Sequence, residues 1–159
     1  MEVRLNRRGM LFKIARVVTS KLIKGEYSFP HVAEISAEEL FEKMQTGQAY
    51  LLIDTRSREE YRSGFGHLPD AKSLPLMEIV GSLGSAQKFK ARVKELEQQF
   101  REVEDFRDKE VVTICPGGGF SLVAAEIMAE AGFKDVKSLA GGADGWFKKG
   151  YPTTKETEA

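Results

Sequence analysis

Val111-Val112-Thr113-Ile114-Cys115-Pro116-Gly117-Gly118-Gly119-Phe120-Ser121-Leu122 is the stretch on which the reading of this chain turns. Val111 to Ile114 form a short apolar run of the kind buried on both faces of a parallel sheet. A helical pattern follows from Leu122 to Ala131, with Gly132 as its left-handed end. A strand that runs through a loop into a helix places that loop where ligands of open α/β sheets gather. Consecutive glycines adopt backbone angles closed to other residues. Their N–H groups can then converge on one point, and the amino end of the helix adds to the attraction for an anion. A cysteine held there is favoured as its thiolate, the nucleophilic form. The alternative is an inert buried cysteine beside an ordinary turn. A plain turn does not need three glycines after a Cys-Pro, so Cys115 is read as the chemical centre.

Working outward, the other segments repeat the strand and helix alternation. Ser36 opens a helix that runs to about Gln45, with Glu39 three residues on as in a capping box. Tyr50 to Ile53 is a second apolar strand, and a short helix is expected over Arg58 to Arg62. Phe89, Val93, Leu96, Phe100 and Val103 recur at steps of three and four, which predicts a helix over 86–107 with one face on the sheet. Val136 to Leu139 is a last strand, and Gly141-Gly142 opens a short helical turn carrying Trp146 as a core anchor. The pattern is α/β: a central, mainly parallel sheet with helices on both faces.

The 159 residues suffice for one compact domain. The formal net charge is zero, so nothing global points to nucleic acid. A lone cysteine forms no internal disulfide and no Cys-based zinc site, and it suits the reducing cytoplasm. Residues 1–30 carry seven Lys or Arg against two acids, so the rest of the chain is acidic. Leu11, Ala15, Val18 and Leu22 fall at helical spacing, which describes a basic amphipathic N-terminal extension. Lys13, Arg16 and Lys21 interrupt any signal-peptide core. The extension either docks on the domain or meets a membrane surface or partner. The division expected is 1–30 extension, 31–153 domain and 154–159 polar tail.

Cys115, Gly118 and Ser121 spell Cys-x-x-Gly-x-x-Ser, which resembles the active loop of rhodanese-like sulfurtransferases. Leu52-Ile53-Asp54-Thr55-Arg56, Glu60-Tyr61, Gly66-His67-Leu68-Pro69-Asp70-Ala71 and Leu74-Pro75-Leu76 resemble that family's first signature. Leu139-Ala140-Gly141-Gly142, Gly145-Trp146 and Gly150-Tyr151-Pro152 resemble its last. The resemblance covers about Ile35 to Pro152. It implies transfer of a sulfane sulfur from thiosulfate or a thiol persulfide to an external thiol, an acceptor protein or cyanide. Cys115 would carry the sulfur as a persulfide, while Pro116, Gly117, Gly118, Gly119, Phe120 and Ser121 bind the donor. No metal and no cofactor is implied. The alternative within the fold is a non-enzymatic sulfur carrier or interaction module.

The loop differs from many relatives in having no charged residue between Cys115 and Ser121. Backbone dipoles must then hold the anion, or an arginine from elsewhere such as Arg56 or Arg62. A related phosphatase chemistry would need arginine at the sixth position after the cysteine, where this chain has Ser121. Asp54 near a thiolate would repel it. Asp54 and Arg56 are possible site residues, since the resemblance implies an acid near the active loop. A structural pair is the favoured reading, with Asp54 capping nearby N–H groups and Arg56 paired to a carboxylate such as Glu60. His67 is read as part of a turn rather than a proton carrier. Ser121 is expected to cap its helix and to donate toward the sulfur.

Overall fold

The computed structural model describes residues 32–47, 50–81 and 84–156. The basic extension lies outside the described residues. Twelve segments follow in order. They are β1 (Ala33–Ile35), α1 (Ala37–Thr46), β2 (Tyr50–Asp54), α2 (Arg58–Arg62), β3 (Lys72–Ser73), α3 (Leu76–Gly81), α4 (Ala86–Glu102), a 3-10 turn (Glu104–Phe106), β4 (Glu110–Ile114), α5 (Phe120–Glu130), β5 (Asp135–Leu139) and α6 (Gly142–Lys148). The five strands form one sheet in the order β1-β5-β4-β2-β3, and every pair is parallel. The α/β expectation holds.

Alternation along the central strands divides the core. Leu51, Ile53 and Val111 point to one face, where Phe100 of α4 and Val123, Ala124, Ile127 and Met128 of α5 cover them. Leu52, Val112, Ile114 and Leu139 point to the other, beneath Ala37 and Leu40 of α1 and Ala143 and Trp146 of α6. Successive side chains of a strand face opposite ways, so a run such as Leu51-Leu52-Ile53 must be covered twice. Trp146 is fully buried, and its Nε1 donates to the Pro152 carbonyl at 2.9 Å. It is the core anchor expected.

Local rules set the helix ends. The Ser36 hydroxyl accepts from the Glu39 N–H at 3.1 Å, and Gly47 closes α1 at φ +73. A full capping box, not anticipated, joins Ser57 and Glu60 at the start of α2. The helix expected over 86–107 stops at Glu102, and Glu104–Phe106 continues as a tighter 3-10 turn. Val103 is buried in the core there, and Phe106 packs against it. Phe100 and Val103 are buried as the stripe predicts. The side chains of Phe89, Val93 and Leu96 lie outside the described residues. Strands β1 and β3 and helix α3 were not foreseen. His67 is buried, stacked on Tyr61 with centroids 3.6 Å apart, and its Nδ1 lies 2.8 Å from the Tyr61 carbonyl. Its backbone exchanges hydrogen bonds with Thr154, so that residue of the expected tail is tied to the domain. Among the described residues no helix is long and apolar enough to cross a membrane.

Candidate active site

Three chain segments leave the carboxyl ends of adjacent strands and meet at one place. Strand β4 ends at Ile114 and delivers Cys115 into the glycine loop. Its neighbour β2 ends at Asp54, and the next residue, Thr55, ties the two ends together. The Thr55 N–H donates to the Ile114 carbonyl at 2.8 Å and its hydroxyl donates to the same oxygen at 2.7 Å. On the other side β5 leads to Gly141-Gly142, whose helix α6 grips the loop from above. Ala143 N–H donates to the Cys115 carbonyl at 2.7 Å, and Asp144 N–H donates to the Pro116 carbonyl at 2.9 Å.

That grip explains why glycine stands at two of these positions. Gly142 has φ +61, and a Cβ there would lie 2.3 Å from the Cys115 oxygen and 2.5 Å from the Pro116 oxygen. Gly118 has φ +95, and a Cβ there would lie 2.8 Å from the Gly141 nitrogen. Each position needs both an open backbone angle and a close approach of two segments of the chain.

Cys115 is 1% exposed and unpaired with any other cysteine. The Gly118 N–H donates to its Sγ at 3.0 Å. Ser121 Oγ lies 3.4 Å from the same sulfur. Ser121 is also within reach of the Gly118 carbonyl at 3.2 Å and of Ser138 Oγ at 2.6 Å. Helix α5 begins at Phe120, two residues earlier than expected, with Gly119 at its cap. Ser121 is therefore inside the first turn and does not cap the helix; its hydroxyl is spent on the sulfur side instead. The Leu122 N–H donates to the Gly119 carbonyl at 3.2 Å, and the amino end of the helix begins beside the sulfur. An anion on the sulfur meets one direct N–H donor, one hydroxyl and the positive end of an eleven-residue helix.

The remaining expected residues divide in two. Gly117 and Gly119 are exposed at the loop surface, and Pro116 is half-buried. Phe120 is half-buried and packs against the core on the α4 and α5 side. Asp54 and Arg56 are both buried and form a two-pronged pair. Arg56 Nε donates to Asp54 Oδ1 at 3.0 Å and Nη2 donates to Oδ2 at 2.8 Å. Nη2 also donates to the Gly66 carbonyl at 2.7 Å, and Asp54 Oδ1 accepts the Arg56 backbone N–H at 3.0 Å. Asp54 thus caps a neighbouring N–H as expected, but the partner of Arg56 is Asp54 rather than Glu60. Glu60 is occupied in the capping box of α2. Arg62 lines a cavity of about 480 Å³ with Arg58, Lys72, Ser73, Glu95 and Glu102, to which residues 115–121 contribute nothing. A second cavity, of about 520 Å³, lies between Arg56, Phe65 and Phe147, again without residues 115–121.

Sequence reading missed Ser138. Its only signal was a hydroxyl in an otherwise ordinary strand, two residues before Ala140-Gly141-Gly142. The parallel register sets it beside Thr113, and the two hydroxyls reach the same residue of α5. Thr113 Oγ1 donates to the Ser121 carbonyl at 2.7 Å.

Comparison with known proteins places the fold in a family. The family model described as Rhodanese-like domain matches residues 36–149. Thiosulfate sulfurtransferase GlpE of Haemophilus influenzae is 30% identical over 119 residues, covering 75% of this chain and 91% of that protein. Adenylyltransferase and sulfurtransferase MOCS3 of Arabidopsis thaliana is 26% identical over 117 residues, covering 74% of this chain but 24% of that longer protein. The crystal structure of a rhodanese-related protein from Thermoplasma volcanium superposes with a TM-score of 0.54 at 25% identity, covering 78% of this chain and 99% of that one. The chain belongs to the rhodanese-like domain family.

Proposed function

We propose that the protein is a sulfurtransferase in which Cys115 carries a sulfane sulfur as a persulfide. Sulfur transfer is its role at the level of the family; the donor, the acceptor and the residues belong to this proposal. The observation that carries it is the Gly118 N–H donated to Cys115 Sγ at 3.0 Å at the amino end of α5. In the first step the Cys115 thiolate attacks the outer sulfur of thiosulfate or of a thiol persulfide. The new S–S bond forms as the donor's own bond to that sulfur breaks, and sulfite or the donor thiolate leaves with the electron pair. In the second step an external thiolate, or cyanide, attacks the outer sulfur of the persulfide. Cys115 leaves as the thiolate it was at the start.

Negative charge stays near one point in both steps, so fixed donors aimed there lower both barriers. Donors of that kind need no reorganisation, because the loop is already held by the Ala143 and Asp144 N–H groups. With Arg56 engaged by Asp54, the charge rests on backbone dipoles. Cys115 is the chain's one cysteine, so the acceptor comes from outside. A reduced thiol of this kind fits a cytoplasmic setting.

The test is a steady-state assay with thiosulfate or a thiol persulfide as donor and cyanide or a small thiol as acceptor. Turnover with at least one pair, abolished in Cys115→Ser, is expected. Turnover retained in Cys115→Ser would refute the assignment. Stoichiometric loading without turnover would favour the carrier reading over the enzyme.

A further inference from the structure

Ser138 is a fully buried hydroxyl outside the loop, and the reaction above makes no use of it. Burial obliges its hydrogen to find an acceptor. Among the described residues its side chain has one partner, Ser121 Oγ at 2.6 Å. Either hydroxyl can donate in this bond, but only with Ser138 as donor do both hydrogens have an acceptor, so the hydrogen of Ser138 goes to Ser121. The direction of that bond fixes what Ser121 can do. Ser121 has a single hydrogen, and three atoms stand within its reach: Ser138 Oγ, the Gly118 carbonyl at 3.2 Å and Cys115 Sγ at 3.4 Å. Ser138, as donor, no longer competes for it. Two destinations remain.

The choice between them follows the charge on sulfur. With a neutral thiol, the S–H donates to Ser121 Oγ and the Ser121 hydrogen turns to the Gly118 carbonyl. With a thiolate, the S–H is gone, and the Ser121 hydrogen turns to the sulfur as a charge-assisted bond. The proton lost from Cys115 passes to solvent or a base; none is created or consumed by the rotation. Ser138 keeps an oxygen lone pair of Ser121 occupied throughout. A hydroxyl that already accepts a hydrogen bond is a stronger donor. The backbone of Ser121 is fixed at the same time, because Thr113 donates to its carbonyl at 2.7 Å from the position paired with Ser138.

We infer that Ser138 is a positioning residue for Cys115: its hydroxyl orients and polarises Ser121 so that the Ser121 hydrogen serves the sulfur anion. The inference rests on the reading of Cys115 as the reacting sulfur, but its test does not require sulfur transfer. The measurement is the ultraviolet absorbance of the thiolate against pH in the full-length chain, taken as the difference from Cys115→Ser. A single cysteine makes that difference specific. In Ser138→Ala the profile moves to higher pH, and the thiolate fraction on its rising limb falls by up to about fourfold, the share of one charge-assisted hydrogen bond that polarisation supplies. Ser138→Thr, which keeps the hydroxyl, restores the profile. In a Ser121→Ala background, Ser138→Ala has no further effect. A Ser138→Ala protein that is less stable to urea but has the wild-type thiolate profile would overturn the inference. So would a shift of equal size in the Ser121→Ala background. If the single variant fails to fold, the comparison of Ser138→Thr with Ser138→Val, which has the same shape without the hydroxyl, decides it: identical profiles would overturn the inference, and a higher-pH profile for Ser138→Val would support it.

Discussion

At the scale of single residues, Asp54 and Arg56 show how a charged pair can look catalytic in the sequence and be architectural in the fold. Asp54 ends the strand next to the one that delivers Cys115 and Arg56 follows two residues on, where a functional acid or cation would be sought. In the structure each satisfies the other, and Arg56 also reaches the Gly66 carbonyl and lies 5.5 Å from the ring of Phe147. The pair thus joins β2, the segment after α2, and α6. Removing one partner leaves a buried charge without its counterion, which costs about 3–5 kcal/mol. Asp54→Ala and Arg56→Ala are each expected to lose stability on that scale in urea unfolding. The double variant should lose less than the sum, because neither leaves the other stranded. Strict additivity would contradict the pairing. Asp54 as an N–H cap was legible in advance; the identity of its cationic partner was not, because Glu60 is equally near in sequence and only the capping box of α2 removes it.

At the scale of elements, the glycine loop does not stand by itself; α6 holds it. Gly142 and Gly145 make a paired test within one short helix. Gly142→Ala would place a methyl group against two carbonyl oxygens at a positive φ. It should cost upwards of about 2 kcal/mol and reduce activity by displacing the Cys115–Gly118 segment. Gly145→Ala meets nothing within 4 Å and has an ordinary helical backbone. It should be neutral or stabilising by up to about 1 kcal/mol. Thermal unfolding of the two variants checks both, and equal effects would contradict the described contact. The central strands and the helices α1, α2, α5 and α6 were legible because apolar runs, serine caps and glycine ends are local signals. Strands β1 and β3 were not, since three and two residues at the two sheet edges carry no period. Ser138 was hidden for a different reason: its role depends on strand register, which pairs residues 25 positions apart.

At the scale of the whole molecule, the two ends of the sheet have different work. The carboxyl end carries the glycine loop; the opposite end carries an ion cluster that joins α1, β4 and β5. Glu110 sits between Lys43 and Lys137, and Lys137 also meets Asp135. Burial alone would raise the Glu110 carboxyl, but the hydrogen bonds from Lys137 and Lys43 outweigh it and hold it below its ordinary 4.5. Lys137 is held above its ordinary 10.5 by Glu110 and Asp135, against the effect of burial. A depressed carboxylate contributes stability that is present above its ordinary value and lost as pH falls through the folded one. Glu110→Gln should therefore remove part of the acid limb of the stability profile below about pH 4.5, by about 1 kcal/mol for a partly buried cluster that solvent still screens. An unchanged acid limb would contradict the cluster's role. The loop, its neighbours and the family were legible because three motifs occur in the expected order. What remained hidden was that Asp54 occupies Arg56 and that Thr113 and Ser138, from two strands, both meet Ser121. The central claim is that Cys115 accepts a transferable sulfur, and intact mass measures it most directly. The full chain is incubated with thiosulfate, and separately with a thiol persulfide, and its mass is taken before and after reductant. The account predicts a gain of one sulfur atom with at least one donor, reversed by reductant and absent in Cys115→Ser; no gain from either donor, or a gain that survives in Cys115→Ser, would contradict it.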